Sequence, residues 1–345
     1  MSLATARNRP ILTLAAIAAG TLALVAGLVL LAGADPLAAG LGIVRGAFGE
    51  PYMVGETLVT AVPLALIGLS IIPAIRAGIF SVGAEGQMAM GALAATAFVN
   101  LVPGLPATIA LPGAALAGAV AGALWSGLAG VLKLRLRVNE ILSTLLLNYI
   151  AGFFLLWSLR SWLATPAIVP LPQSAALPDP ALIGKLWAGT RLHWAALAVP
   201  LLALGLGWWL RTRHALGAGL LATNPLLGRR IGLSPYRTTL GVFLFSGAIA
   251  GLAGWMQVAG VAGTLYPSVA GGIGFAGIMI ALLGGLNPVG VLVAALLFAG
   301  LQTGASGLQA ETGVPSALST IIEGAVLLCG ALAFSLSERA RRTTE

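Results

Sequence analysis

The chain has 345 residues, of which 59% are hydrophobic and 8% charged, with a mean hydropathy of +1.00 and a formal charge of +8. A water-soluble core of this size needs far less apolar sequence, so the fold class is an all-α polytopic membrane protein. Its lysines, Lys133 and Lys185, are each followed by Leu, which rules out a G-x-x-x-x-G-K-[ST] phosphate loop and with it ATP hydrolysis by this chain; neither a G-x-S-x-G elbow nor an H-E-x-x-H pair occurs, which disfavours an intramembrane hydrolase.

Arg7 and Arg9 precede an apolar run from Ile11 to Ala32, long enough to span a core of about 30 Å. Ala32-Gly33-Ala34 looks like a signal-peptidase site, but the run is longer than a signal-peptide core, so helix one is expected to stay as an anchor. A mixed linker, Asp35 to Tyr52, has room for a short interfacial helix. Helix two follows over about Val54 to Ile75 with Glu56, Thr60 and Pro63, helix three over about Gln87 to Val102, and helix four over about Ala107 to Leu132. On helix four, Gly118, Gly122, Ser126 and Gly130 recur every four residues, which lays a seam of small side chains for close helix packing. Helix five, about Glu140 to Leu163, carries Glu140, Thr144 and Asn148 as one polar stripe, and such a stripe avoids lipid.

The Pro- and Ala-rich stretch from Thr165 to Arg191 is expected to be non-helical; helix six is about Leu192 to Leu210 and helix seven about Thr238 to Val261. A Gly-rich break at Ala262 to Gly274 leads into a short run, Phe275 to Leu283, which is expected to be half a helix. Helix nine, about Val289 to Leu308, bears Gln302 and Ser306, and helix ten, about Ser316 to Leu336, bears Glu323. His193 and His214 are expected to play ordinary polar roles near helix ends. Cys329 is the single cysteine, and no Cys/His cluster exists to hold a metal.

Ten spans with both termini in the cytosol put Arg7, Arg9, Arg76, Lys133, Arg135, Arg137, Arg211, Arg213, Arg229, Arg230, Arg237, Arg339, Arg341 and Arg342 inside, and only Arg45, Arg160, Lys185 and Arg191 outside. That asymmetry is the positive-inside rule at work. Helices two to five then enter from outside and helices seven to ten from inside, the arrangement of an inverted repeat. The expected division is a single transmembrane domain over 1–345: N-terminal helix and linker (1–53), first repeat (54–163), extracellular segment, helix six and cytosolic loop (164–237), second repeat (238–336) and a cytosolic tail (337–345).

The stretch Arg76 to Gly91, R-A-G-I-F-S-V-G-A-E-G-Q-M-A-M-G, is polar and Gly-rich between two membrane-length runs. Each repeat thus carries one interruption, at Gly83 to Gly86 and at Gly271 to Gly274, which is where transporters built from inverted repeats tend to form their path. A short cytosolic turn is the alternative reading of the first one. A charge at mid-membrane costs about 2.5–3.5 kcal/mol, so Glu56, Glu85, Glu140 and Glu323 belong near interfaces, in protein contacts or beside a path. Path candidates are Glu85, Gln87, Thr144, Asn148, Phe275 and Gln302, with packing of helices by Asn148 as the rival role. The basic segment around Asn224-Pro225 and Arg229-Arg230 reads as a small helix on the cytosolic face or as a loop held by anionic lipid.

Five ordered motifs carry a resemblance: A-G-I-F-S-V-G-A-E-G-Q, then V-N-E-I-L-S-T-L-L-L-N-Y-I-A from Val138, then N-P followed by R-R-I-G-L, then S-G-A-I-A-G-L-A-G from Ser246, and G-F-A-G-I-M-I-A-L-L-G-G-L-N-P from Gly274. Over roughly Val54 to Leu336 the chain resembles the permease subunits of bacterial ABC importers for nucleosides, within the wider branched-chain amino acid and simple-sugar permease family. It departs at Ser81, where family members usually carry Asn, and at Leu220 to Thr223, which is shorter than usual and lacks an Arg. The resemblance implies a transport subunit of the bacterial cytoplasmic (inner) membrane, with no catalytic residues, metal or cofactor of its own. Its implied partners are a second permease subunit (a heterodimer partner or a second copy), two cytosolic ABC ATPase domains and an extracellular or periplasmic solute-binding protein; nucleic acid is not among them. It further implies that Asn224, Pro225, Arg229, Arg230 and Gly232 form a helix that couples to the ATPase, and that the solute is a nucleoside or purine-like compound, with a simple sugar as the alternative. An ion-coupled secondary transporter is the competing class; it would need an essential mid-span carboxylate, for which Glu56 and Glu323 are the candidates.

Overall fold

The computed structural model describes residues 19–20, 22–164, 172–212, 219, 234–313, 321–322 and 324–325. Its first helix, α1 (Leu22–Leu31), is bent by 106° from α2 (Pro36–Phe48), with Asp35 capping the Leu37 amide at the corner. Then come α3 (Pro51–Arg76), α4 (Ala84–Leu101), α5 (Ala107–Leu136) and α6 (Glu140–Arg160). After residues 172–193, whose only helical turn is the 3₁₀ piece Asp179–Ala181, a second 3₁₀ turn (Trp194–Leu197) runs into α7 (Ala198–Trp209). The rest is α8 (Pro235–Met256), continued by a π-turn (Gln257–Ala262), α9 (Ile273–Leu283) and α10 (Pro288–Thr312).

Five of these, α3, α5, α6, α8 with its π-turn and α10, are long and apolar enough to cross a membrane, and α1 with α2 would make a sixth if that bent pair is one span. The chain is therefore a multi-pass, all-helical membrane protein. Together with α4, α7 and the half-length α9, the described helices correspond to nine of the ten expected spans; the tenth lies outside the described residues except at 321–322 and 324–325. The linker helix does form, as α2, yet it is packed rather than merely interfacial: Gly42 and Gly46 lie against Gly304 and Gly307 of α10 so closely that a Cβ on Gly46 would sit 2.8 Å from the Gly307 amide nitrogen. Thr57 of α3 ties this corner by donating to the Ala47 carbonyl at 2.8 Å.

α3 is apolar over most of its length, and 78% of its spanning window is buried within the protein. It is the central helix, with α2, α7, α8, α9 and α10 around it and Leu64, Ile67, Leu69 and Ile72 almost wholly enclosed. Lipid is as apolar as these side chains, so their burial owes little to a hydrophobic drive; dispersion and close backbone approach hold the bundle. The seam expected on helix four is buried as its spacing implies. Gly91 of α4, Gly118 and Gly122 of α5, and Gly247 and Gly251 of α8 meet at one crossing, where a Cβ on Gly122 would stand 2.8 Å from Gly251 Cα.

The outer strap, residues 172–193, is stitched to the end of α8. Ile183 donates to the Ala259 carbonyl (2.9 Å), Leu177 to that of Gly263 (2.8 Å) and Ser174 to that of Leu265 (2.9 Å). His193 ends the strap, packed on Gly260 and 1% exposed, and burial pushes its pKa down to about 4, so the ring is neutral at ordinary pH.

The crossing glycines give a direct test. Gly122→Val forces branched carbon into backbone and is expected to cost about 1–3 kcal/mol or more of stability, read as a lowered thermal midpoint in detergent. Gly152→Val, on α6 where a Cβ meets nothing within 4 Å, is expected to stay within about 0.5 kcal/mol of the parent.

Candidate functional site

α3 ends at Arg76 and α4 starts at Ala84, and the seven residues between them fold back toward the membrane interior. Gly78 opens the turn at φ +71°, a conformation that favours glycine, and Ile79 closes it by donating to the Ala74 carbonyl at 2.9 Å. The backbone then climbs alongside α6. Val82 donates its N–H to Thr144 Oγ1 (3.1 Å) and accepts at its carbonyl from Asn148 Nδ2 (2.8 Å), while Asn148 Oδ1 accepts from the Gly86 amide (2.9 Å). Non-helical backbone inside a membrane protein has no water to satisfy it, so the side chains of α6 do. Asn148 lies eight residues into α6, which is about 12 Å from its first turn at about 1.5 Å per residue. α4 therefore starts about two turns along α6, and the Gly-rich break is the segment that climbs beside it.

The second break meets the first at that depth. Gly271 and Gly272, at φ +41° and +86°, turn the chain into α9, whose 11 residues extend about 16 Å. The Glu85 carboxylate, in the first turn of α4, accepts the Gly272 amide on one oxygen (2.7 Å) and the Gly274 amide on the other (2.8 Å). Backbone touches backbone here, since a Cβ on Gly274 would lie 2.7 Å from Glu85 Cα. Two helix N-termini, each with unsatisfied N–H groups and the positive end of a dipole, share one carboxylate. Insertion of a charge at this depth costs about 2.5–3.5 kcal/mol. Two charge-assisted hydrogen bonds of about 1.5–3 kcal/mol each offset it. That is also why α4 starts at Ala84 rather than at Gln87 as expected: a carboxylate in the first turn is where the helix dipole favours it.

Above the junction, on the side away from Arg76, a cavity of about 170 Å³ opens between α3, the π-turn, the loop before α9, and α10. Thr60, Gln257, Tyr266 and Gln302 give it a neutral polar lining, Ile273 closes it toward the junction, and Arg191 of the strap closes it on the other side. Thr60 is nine residues into α3, about 14 Å along it, so the cavity reaches well down the central helix. The π-turn widens α8 at Gln257, the usual use of such a turn at functional sites. Arg191 is engaged with Glu56: its Nε donates to both carboxylate oxygens, at 2.9 and 3.0 Å, and its Nη2 donates to Oε2. That pair, with Glu56 nearly buried, holds the Arg191 guanidinium firmly protonated.

Of the six path candidates, Glu85, Gln87, Thr144 and Asn148 come together at the junction. Gln87 is 1% exposed and donates from Nε2 to Ser126 of the α5 seam at 3.1 Å. Gln302 lines the cavity, and Phe275 is exposed near the start of α9. Thr144 and Asn148 bond to the backbone of the break. Glu140, the first member of the stripe, pairs with Lys133 at 2.6 Å and stitches α5 to α6. The candidate coupling residues Asn224, Pro225, Arg229, Arg230 and Gly232 lie outside the described residues. Sequence reading missed Gln257, Tyr266 and Arg191; Gln257 had a signal, as an amide inside the otherwise apolar stretch W-M-Q-V-A-G.

The family model described as branched-chain amino acid transport system / permease component matches residues 53–331. The chain is 36% identical over 299 residues to the guanosine ABC transporter permease protein NupP of Bacillus subtilis, covering 85% of this chain and 84% of that one. It is 38% identical over 337 residues to the glucose ABC transporter permease protein TsgB13 of Haloferax volcanii, covering 94% and 86%. With the nucleoside ABC transporter permease protein NupB of Lactococcus lactis it shares 30% over 302 residues, covering 84% and 81%. No solved structure matches the chain.

Removing the shared carboxylate tests the junction. Glu85→Ala strands the enclosed Gly274 N–H at about 1–3 kcal/mol and frees the exposed Gly272 N–H, and the expected result is a drop in thermal midpoint in detergent together with loss of uptake. Glu85→Gln keeps an acceptor but not the charge, and a drop of about half that size is expected. Equal, unchanged midpoints for both variants would mean that the junction is held by packing alone.

Proposed function

The chain belongs to the branched-chain amino acid transport system / permease component family, and from that premise we propose that it forms the translocation path of an ATP-driven importer for a neutral polar solute, a nucleoside or purine-like compound. It is an ABC transporter permease subunit. The observation that carries the solute reading is the polar cavity above the junction. Its donors and acceptors are the neutral groups Thr60, Gln257, Tyr266 and Gln302, and the one charge at its edge, Arg191, is already neutralised by Glu56. Two amides hydrogen-bond in both directions, and Tyr266 offers a ring face on which a flat base can stack, a contact worth about 1–3 kcal/mol per base in nucleic-acid complexes. The similarity to guanosine and nucleoside permeases supports the same class. A simple sugar is the second reading, because a glucose permease is similar over 94% of the chain.

The path in this proposal runs through the two broken helices. The second residue of α4 touches the second residue of α9, and these are equivalent positions if 54–163 and 238–336 are inverted repeats within one transmembrane domain. Such a contact near a pseudo-twofold axis supports that reading. The orientation proposed is cytosolic for the end that carries Arg76, Lys133, Arg135, Arg137, Arg211 and Arg237, with Arg45, Arg160, Lys185 and Arg191 outside and both termini inside the inner membrane. Among the described spans, the carboxylates of Glu56 and Glu85 are engaged by a guanidinium and by helix N-termini, contacts that give each a structural role and speak against ion coupling. Energy would come from two ATPase domains on separate chains, delivered through the segment with Asn224, Pro225, Arg229, Arg230 and Gly232, and solute from an extracellular or periplasmic binding protein. A second permease subunit would complete the path.

Uptake of labelled guanosine and of labelled glucose by the assembled importer separates the readings. Gln257→Leu and Gln302→Leu each remove a hydrogen-bonding group and are expected to lower uptake about ten-fold, with assembly and basal ATP hydrolysis retained. Tyr266→Ala is expected to affect guanosine more than glucose. Full guanosine uptake by the Gln257→Leu/Gln302→Leu double variant would remove the cavity from the path.

Coupling is tested separately. Asn224→Ala with Pro225→Gly leaves every charge in place but alters the start of the coupling helix. ATP hydrolysis uncoupled from uptake, or weaker ATPase co-purification, is the expected outcome. Normal uptake together with normal co-purification would count against a coupling role for the segment.

A further inference from the structure

On the basic end of the molecule, a second groove of about 550 Å³ lies between α7 and the start of α10, beside the end of α3. Its lining changes character with depth. Leu204, Gly207 and Trp208 occupy one face of α7, and Arg211 follows in the turn just past its end, so apolar surface grades into a guanidinium over about 10 Å. Leu204 is 72% exposed and Trp208 likewise, and a Cβ on Gly207 would meet nothing within 4 Å, so the trough stands open. Arg76 joins Arg211 at the charged rim. Among the described residues its side chain makes one bond, from Nη2 to the Leu286 carbonyl at 3.4 Å. No Asp or Glu is among the described residues that line the groove.

We propose that this groove binds a phospholipid with an anionic headgroup, its phosphate held between Arg76 and Arg211 and an acyl chain laid along Leu204 and Gly207. Each half of the lining selects against another occupant. A free anion makes no use of the apolar trough, and a zwitterionic lipid gains less from two guanidinium groups than a headgroup with net negative charge. Trp208 has the amphipathic ring that settles at headgroup level, next to the arginines that would hold the phosphate. Asn287 spends its side-chain oxygen on the Val289 amide at 3.0 Å, and the NH₂ of that amide remains as a third donor at the rim. Arg76 closes the helix that leads into the first break, so an occupied groove would fix the end of α3 from which the path segment climbs. The proposal is independent of which solute is carried.

The test uses the full chain in mixed micelles with phosphatidylglycerol or phosphatidylcholine brominated on the acyl chain. Quenching of Trp208 is isolated by subtracting the Trp208→Phe variant. A cation near a membrane surface changes anionic-lipid affinity about five-fold, so half-quenching is expected at roughly 25-fold less phosphatidylglycerol than phosphatidylcholine. That preference is expected to collapse in Arg76→Gln/Arg211→Gln and to persist in the charge-preserving Arg76→Lys/Arg211→Lys pair. Equal quenching by the two lipids in the parent protein overturns the proposal, and needs no variant to fold. So does a preference that survives in the glutamine pair, or displacement of phosphatidylglycerol by millimolar inorganic phosphate, which would make the site one for a free anion. If the glutamine pair keeps its lipid preference and loses the ATPase instead, the arginines face a protein partner and the lipid assignment fails.

Discussion

Everything distinctive in this structure depends on one carboxylate. Glu85 stands where two helices begin, and its two oxygens take the Gly272 and Gly274 amides, which have no partner within their own helix. A helix that begins within the bilayer exposes donors and a positive dipole end, and each is costly alone. Brought together around one negative charge, the two starts stabilise each other. The glycines follow from that contact, because the close approach of α4 and α9 leaves no space for a Cβ at Gly274.

The surrounding bundle can be read as the scaffold that holds this junction at the right depth. Thr144 and Asn148 bind the backbone of the climbing segment, Gln87 reaches the α5 seam at Ser126, and the glycine crossing of α4, α5 and α8 fixes the helices that carry them. Packing of small residues suits that task, since it is short-ranged and strongly orientation-dependent. On the far side of the junction, the strap is laced to the π-turn and pinned to α3 by Arg191 and Glu56. The cavity is thus bounded by a carboxylate-capped helix start at one end and an ion pair at the other.

Much of the architecture was legible from sequence because the physics that sets it is local. Apolar runs of membrane length, basic residues at alternate helix ends and a four-residue period of Gly and Ser on one helix gave the spans, their alternation and the α5 seam. The paired interruptions were legible too, as was the 11-residue half helix, because Gly clusters between apolar runs have few other uses. Gln302 was found as a polar residue in a span. Arg191 was not, since in sequence it belongs to a loop and nothing nearby announces that Glu56, 135 positions earlier, will hold it over a cavity.

By itself, then, the sequence determined that the chain is helical, that it crosses the membrane many times, where the helices break and which family its motifs resemble, because each of these follows from residue type and short spacing. Only the tertiary structure decided what the breaks do. The stripe of Thr144 and Asn148 is spent on backbone rather than on the cavity, α2 is packed on α10, and Glu85 acts across 187 residues of chain on the first turn of another helix. The physical reason is that an unsatisfied backbone group in a membrane takes whichever partner the packing brings near, and packing joins residues that no local pattern connects.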